Sequence, residues 1–485
     1  MKTLLKALAL LAAITSVVWI AVIWHWQSTH RDMSAEDVAV YLVALPLVVF
    51  ALVVGMRWAW RGALARQAAL ASAASGAKAA AAHVAPPAPE ARERRLAWPL
   101  LGAWVLGPAG GDVAGLLEAA RSGKPGPAPD PILRDGQGLP IMCARAAAVD
   151  AAAIEQAWAD WNRGLKDGAQ RAAPRAHAMR ALAALTQCLP LSAEKILEWW
   201  QSVPDDRRLG ARVRVLAAWP EGWTDDDRAW AFAWLNAQLA GLGGEEIGAE
   251  RWLLQPLPPG TGPQAWQQAD RLLLALERER SDDLVLLLAC HSDLSEPAVE
   301  AMERSGRLFS ADRHPKGQMP GEGAAALLLM RAGPSQEGAQ VEAMAWLHRP
   351  ACIRRDKSID APGRTSAEVA RQAVSVAAAA AAVDAADLAG LCSDAERHSP
   401  RATELFGTSI ELMPNLDPVE DMRLLGVVQG HAAHTGAWWA VAGAALLARE
   451  SERPTLALSL ADPHWRMALV VRHAPAGSMA TSANA

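Results

Sequence analysis

A layered α/β domain behind a two-helix transmembrane hairpin is the fold class that the sequence predicts. Three observations predict it. Short apolar runs alternate with helical patterns from residue 96 to residue 473, and such elements bury their apolar faces by stacking in layers. Two uncharged apolar runs, 7–24 and 38–56, stand ahead of that pattern. The length of 485 residues is too great for one small domain and enough for a large core.

Composition narrows the function classes. The formal net charge is −5, so no broad basic surface points to nucleic acid. Trp (21) far outnumbers Phe (4) and Tyr (1) and is spread along the chain, which suits core filling better than a base-stacking platform. Cys143, Cys188, Cys290, Cys352 and Cys392 form no CxxC pair, so neither a zinc site nor a redox dithiol is signalled. No metal or cofactor is expected, and the odd cysteine count fits a reducing compartment.

The first elements are the two apolar runs, each long enough to cross a bilayer core of about 30 Å as a helix. Lys2 and Lys6 would also suit a signal peptide, but the flank His25-Trp26-Gln27 offers no small-x-small cleavage site. Pro46 kinks the second helix tolerably. Lys2 and Lys6 before the hairpin, and Arg57, Arg61 and Arg66 after it, place both ends in the cytoplasm, with Asp32, Glu36 and Asp37 in the outer loop. Trp24, Trp26, Trp58 and Trp60 sit where an interfacial aromatic belt is expected. The expectation is a bacterial inner-membrane hairpin at 1–67, an Ala/Pro-rich linker at 68–95, a domain at 96–474 and a disordered tail at 475–485.

Within the domain, 100–106 reads as a buried strand, followed by a turn at Gly107-Pro108-Ala109-Gly110-Gly111. Asp112 is placed to cap a helix over 113–121. Helices are expected at 151–165 and 173–189, and a strand at 212–219. Asp225, Asp226 and Asp227 open a helix at 228–239, where carboxylates favour the positive dipole end, as a capped and solvated start. An amphipathic helix at 264–280 leads to a strand at 284–290 and a short helix at 297–306. Further elements are expected at 341–347, 366–383, 388–392 and 436–450, with a closing hairpin of 456–460 and 468–472.

The stretch 308–331 organises the middle of the chain. A polar loop ends at Lys316-Gly317, a tight turn follows at Pro320-Gly321-Glu322-Gly323, and 324–330 is an unbroken apolar run. The run reads as a strand buried on both faces, and the glycines beside Glu322 allow a positive φ or a close backbone approach. Glu322 is expected to hold the turn rather than to act as a base. This stretch resembles the motif that opens the second half of a β-ketoacyl synthase. The string from Leu100 through Pro125-Gly126, and Gln429-Gly430-His431 before the small-residue helix, extend the likeness over 96–473. It implies a thiolase-like domain of two similar halves, each with a five-stranded mixed sheet, layered α-β-α-β-α.

The resemblance also implies chemistry that the residues do not fully supply. A ketosynthase needs a thiolate at a buried helix N-terminus. Counting back from the 284–290 strand lands on Thr261-Gly262-Pro263, with no cysteine. Cys290, inside the strand, reads as a structural thiol, and His291 faces the opposite way. In the region of the first family histidine, 392–404, Ser393 takes the counted position and His398 is shifted to what reads as the surface. His431 follows a glycine as the second family histidine does, with His434 competing for the role. Asp394, Glu396 and His398 could ligate a metal, but read as solvated loop groups.

The resulting expectation is a catalytically degenerate, membrane-anchored ketosynthase-like protein that binds or scaffolds. Weak catalytic candidates are His431, His434 and Cys290; Gly321, Glu322 and Gly323 form the structural turn. Implied partners are a second copy or a related active ketosynthase, an acyl carrier, or a secretion-system protein. The alternatives are an adaptor of bacterial type VI secretion and a condensing enzyme with relocated residues. A periplasm-dependent reporter fused after Ala485 should stay silent, because both termini are expected in the cytoplasm. A signal from that fusion would reverse the topology.

Overall fold

The alternation in β6 (Leu284–Ser292) shows how the sheet builds its layers. Leu284, Leu286, Leu288 and Cys290 face one buried cluster, while Val285, Leu287 and Ala289 face another. A strand buried on both faces needs helices on both sides. The computed structural model describes residues 93–165, 174–208, 210–242, 246–331, 342–396, 399–432 and 434–473, with Thr15, Trp19 and Trp24. Residues 1–87 and 88–485 form two compact units. The expected hairpin, apart from those three helical residues, the linker up to residue 92, and the 475–485 tail lie outside the described residues. No helix among the described residues is long and apolar enough to cross a membrane.

Eleven strands of the described residues join in one continuous sheet, where two five-stranded sheets were expected, because the β1–β8 pairing links a half of five strands to a half of six. Its first half contains β1 (Ala97–Leu106), β4 (Val213–Ala218), β5 (Trp252–Pro256), β6 and β7 (Glu322–Leu329), in the order β5-β4-β6-β7-β1. The second contains β8 (Ala345–His348), β9 (Ala351–Arg354), β10 (Gly390–Ser393), β11 (Met422–Leu424), β12 (Thr455–Ser459) and β13 (Trp465–Arg472). Its order is β11-β10-β12-β13, with β8 and β9 both pairing β13. In each half the first three strands run parallel and the rest antiparallel. The halves are therefore duplicates in topology, joined where β1 pairs β8. A separate hairpin pairs β2 (Ala128–Arg134) with β3 (Pro140–Cys143).

The helices repeat the duplication. α3 (Ala176–Ser202) and α4 (Asp225–Leu242) share the outer core of the first half, with Trp199, Trp230 and Trp234 filling it. α7 (Glu368–Ala380) and α8 (Ser399–Leu412) cover the second half. Between the two sheet halves lie α5 (Gly262–Glu279) and α9 (Gly436–Ser451), where the Trp266 and Trp438 rings meet at 4.7 Å. α9 is buried almost all round, which explains its alanines: both sheet halves approach closely. Among the described residues the other helices longer than four residues are α1 (Val113–Ser122), α2 (Ala151–Arg163) and α6 (Glu296–Arg304). The expected α-β-α-β-α layering is present.

The expected Asp112 cap is made, with its Oδ1 accepting from Gly115 N at 2.6 Å. Two expectations change. The helix expected at 173–189 continues to Ser202 through Pro190, because Ile196, Trp199 and Trp200 bury against the sheet. α8 has no counterpart among the expected elements, for it turns Arg401, Glu404 and Thr408 inward and leaves Phe406 and Ile410 exposed. Its buried charges are matched: Glu404 accepts from Arg466 and Arg355 at 2.8 and 2.7 Å, and Arg401 donates to Asp360 and the Ala461 carbonyl.

The tight turn expected at 320–323 is not formed: Pro320 and Gly321 bridge to His431 and Ala144, and Glu322 and Gly323 already belong to β7, so the glycines serve close backbone approach instead. β7 is buried along its whole length between β1 and β6. Glu322 is fully buried and accepts two hydrogen bonds from Arg180, at 2.8 and 2.6 Å, one from Ala146 N and one from Ser292 Oγ. Gly323 has φ +155°, and a Cβ there would collide with the Leu106 carbonyl and the Trp439 ring. Gly323→Val should therefore destabilise the protein by more than ~1 kcal/mol, through strain and collision together. An unchanged melting curve would mean that the contact yields without cost.

Candidate functional site

The ends of β4 and β6, the first turn of α5 and the segments before α9 and β13 line a cavity of about 640 Å³. Its position follows from the fold. Parallel strands point their carboxyl ends the same way, and the central helix α5 starts beside them. Thr261 occupies the N-cap of α5, and Pro263 stands in its first turn, where a missing N–H costs nothing. The residues reached by counting back from β6 therefore do sit at a helix start facing a cavity. They are Thr261 and Gly262, not cysteine.

Five histidines line this space, His177, His291, His431, His434 and His464, with Asp293 beside His291 and Glu396 standing behind His431. His431 Nδ1 lies 2.6 Å from Glu396 Oε1. Its Nε2 makes no hydrogen bond among the described residues. Burial alone would lower the His431 pKa, but the Glu396 carboxylate, with help from Asp293, outweighs it and raises the value above that of an ordinary histidine. His291 Nε2 lies 3.0 Å from Asp293 Oδ2, an ionic contact at an angle too poor for a hydrogen bond. Burial would raise the Asp293 pKa; the His291 and His431 charges hold it below the usual carboxylate range.

His434 stands apart. Nδ1 lies 3.1 Å from the Gly260 carbonyl and Nε2 3.0 Å from the Ala218 carbonyl. A neutral imidazole can donate to only one of them. Satisfying both would need the charged ring, yet burial pushes the His434 pKa down to about 4. It ties the start of the α9 segment to the first half, whereas His431 keeps a nitrogen for a ligand.

The backbone explains how His431 is held. His431 N donates to the Met319 carbonyl at 2.6 Å, and Pro320 and His431 form a β-bridge. Gly430 takes φ +65°, a left-handed turn that brings it close to Met319 and Ala144. The 308–331 stretch thus supports the site residue most directly.

The other candidate residues are dispersed. Cys290 faces the outer core of the first half, on the opposite side of β6 from His291, and burial pushes its thiol pKa up. Burial does the same to Cys143, Cys352 and Cys392, and raises Cys188 to about 12. Ser393 is buried in β10, and His398 lies outside the described residues. The reading of Asp394 and Glu396 as solvated is corrected: both are buried. Asp394 accepts from Ser459 Oγ and the Leu460 and Ala461 amides, while Glu396 turns to His431, so they serve separate partners. Asp227 is also buried, accepting from Arg175 Nε at 2.7 Å, rather than solvated with its neighbours. The pairing of His291 with Asp293 was missed, although the i, i+2 spacing at a strand end places both on one face. Glu396 carried no such local signal.

No protein-family model matches the chain, and no curated protein matches it. Solved structures do. The oxazolomycin ketosynthase domain of Streptomyces albus JA3453 aligns at a TM-score of 0.53 and 11% identity, covering 78% of this chain and 76% of that one. The module 6 ketosynthase of the Bacillus subtilis 168 bacillaene synthase gives 0.52 and 13%, covering 78% and 73%. A β-ketoacyl synthase from Burkholderia phymatum STM815 gives 0.50 and 14%, covering 78% and 100%. This is the ketosynthase fold. At such identities the likeness extends to architecture and not to activity.

The histidines set opposite pH dependences. His431 has a folded pKa above its unfolded value of 6.5, so its stabilising contribution is complete below that pH. It is lost as pH rises through the folded value. His434 binds its proton only near pH 4 when folded, so stability falls as pH drops from 6.5 towards 4. Glu396→Gln should remove the alkaline-side loss, and His434→Gln should shrink the acid-side loss, leaving the parts owed to His348, whose pKa is also about 4, and to His177, whose pKa burial also lowers. Melting temperatures across pH check both; an acid limb unaltered in His434→Gln would contradict the assignment.

Proposed function

We propose that this chain is a non-condensing protein of ketosynthase fold that holds a ligand or partner without covalent capture. The observation that carries the reading is the start of α5. Thr261 and Gly262 stand where the fold offers a nucleophile the helix dipole, and every cysteine thiol of the chain is buried or held by burial in its neutral form. Condensation through an acyl-enzyme needs a thiolate at that place. His431 and the helix start supply hydrogen-bond donors for a carbonyl or an anion, which suits recognition. The runs at 7–24 and 38–56 support a membrane tether with the domain on the cytoplasmic side of a bacterial inner membrane. The proposed partner class is a second copy or a related ketosynthase, with an acyl carrier as a further possibility.

Intact-protein mass spectrometry after incubation with an acyl-thioester tests the reading. The expected result is no stoichiometric adduct, with the biological activity of Cys290→Ala equal to that of the parent chain. An adduct of one acyl group that disappears in Cys290→Ala would establish a condensing enzyme with relocated residues instead.

A further inference from the structure

A second pocket, of about 420 Å³, lies in the loop between α6 and β7, and its lining includes Arg307, Arg313, His314, Lys316, Gln318 and Asp360. The loop is a rigid frame. Leu308 bridges Gln318 and Ser310 bridges His314, and Gly317 packs so tightly on Leu308 and Phe309 that a Cβ would lie 2.6 Å from their backbone. Arg313 braces it outward through Asp135 at 3.0 Å and Glu303 at 3.4 Å. Asp360 is held by Arg401 at 2.8 Å.

Those pairings use up the acidic groups of the pocket and leave two cations over. Lys316 forms no ion pair or side-chain hydrogen bond among the described residues. Arg307 donates from Nε to Ser305 Oγ, and its terminal nitrogens take no carboxylate in contact. Its charge reaches Asp293 only at a distance. Gln318 is 7% exposed, and its Oε1 is buried without a donor. A buried amide oxygen without a partner is desolvated and uncompensated, so a ligand that completes the amide is favoured. Oxygen and nitrogen of an amide exchange by a half-turn, which would present N–H donors to an anion.

We propose that this pocket is a binding site for a phosphoryl group, carried by a phosphate monoester. Arg307 and Lys316 supply charge-assisted donors to the phosphoryl oxygens, and Gln318 supplies the buried polar contact. Arg307 also lines the histidine cavity, whereas Lys316 and Gln318 line this pocket alone, so the Lys316 variant is the one that distinguishes this site from the non-condensing reading. The shared chemistry is the monoester phosphate, whether on a soluble metabolite or on a lipid headgroup.

Calorimetric titration of the full chain in detergent with phenyl phosphate, and flotation with phosphatidylcholine vesicles with and without phosphatidic acid, test it. Arg307→Gln and Lys316→Gln, both at exposed positions, should each weaken binding about tenfold with the melting temperature retained. Lys357→Gln, an exposed cation outside the pocket, should leave it unchanged. Variant-sensitive binding of phenyl phosphate upholds the site for a soluble ester; a variant-sensitive gain confined to phosphatidic acid vesicles upholds it for a lipid headgroup. Binding to neither probe, or the same loss in Lys357→Gln as in the pocket variants, overturns the proposal.

Discussion

The buried carboxylate of Glu322 is the constraint on which the middle of the structure depends. It is fully inaccessible, and its ionised form is matched by the Arg180 guanidinium, the Ala146 amide and the Ser292 hydroxyl. These donors come from α3, the segment after β3, and β6. One side chain thus fixes three elements relative to β7. Removing a single partner from such a pair leaves an uncompensated buried charge, at a cost of about 3–5 kcal/mol. The flanking glycines are needed for the same reason: Gly321 runs against Gln429 and Gly323 against Leu106 and Trp439, so no side chain could stand there. The clamp and the close approaches together hold the 429–431 segment against β7, and with it the ring of His431.

The duplication sets where a cavity can form. Two equivalent helices, α5 and α9, start from Thr261-Gly262 and Thr435-Gly436, and they touch through the Trp266–Trp438 ring contact. The space at the α5 start receives residues from both halves: His291 and Asp293 from the first, His431 from the second, with His434 crossing to carbonyls of the first. Three of the charged groups there are paired within the protein. His431 is held by Glu396, His291 by Asp293, and Arg175 by Asp227. Arg307 and Arg354 also line the cavity, and Arg307 lines the pocket at Lys316 as well.

Much of the fold was legible because most elements follow simple periodicity. β6 and β7 are continuous apolar runs because both faces are covered, and α5 shows a stripe of Trp266, Ala269, Leu273 and Leu276. α8 was illegible for the converse reason: Arg401 and Glu404 are its inner face, and their partners Asp360, Arg355 and Arg466 are distant in sequence. The candidate site was legible in part. His431 and the position of the helix start could be reached by counting along the resemblance. Glu396 could not, for its role exists only where the end of β10 meets the 430–432 segment, 35 residues on.

What the sequence by itself determined is most of the core strands and helices, their alternation in layers, the glycines that flank Glu322 and the lack of a thiol at the counted position. Each depends on local composition or on spacing along the chain, and these survive without knowledge of contacts. What only the tertiary structure decided is which polar residues are buried and with whom. Asp394, Glu396, Asp227, Arg401 and Arg466 have the same side chains on a surface as in a core. Their environment, and so their charge and hydrogen bonding, is set by partners that folding brings from other elements.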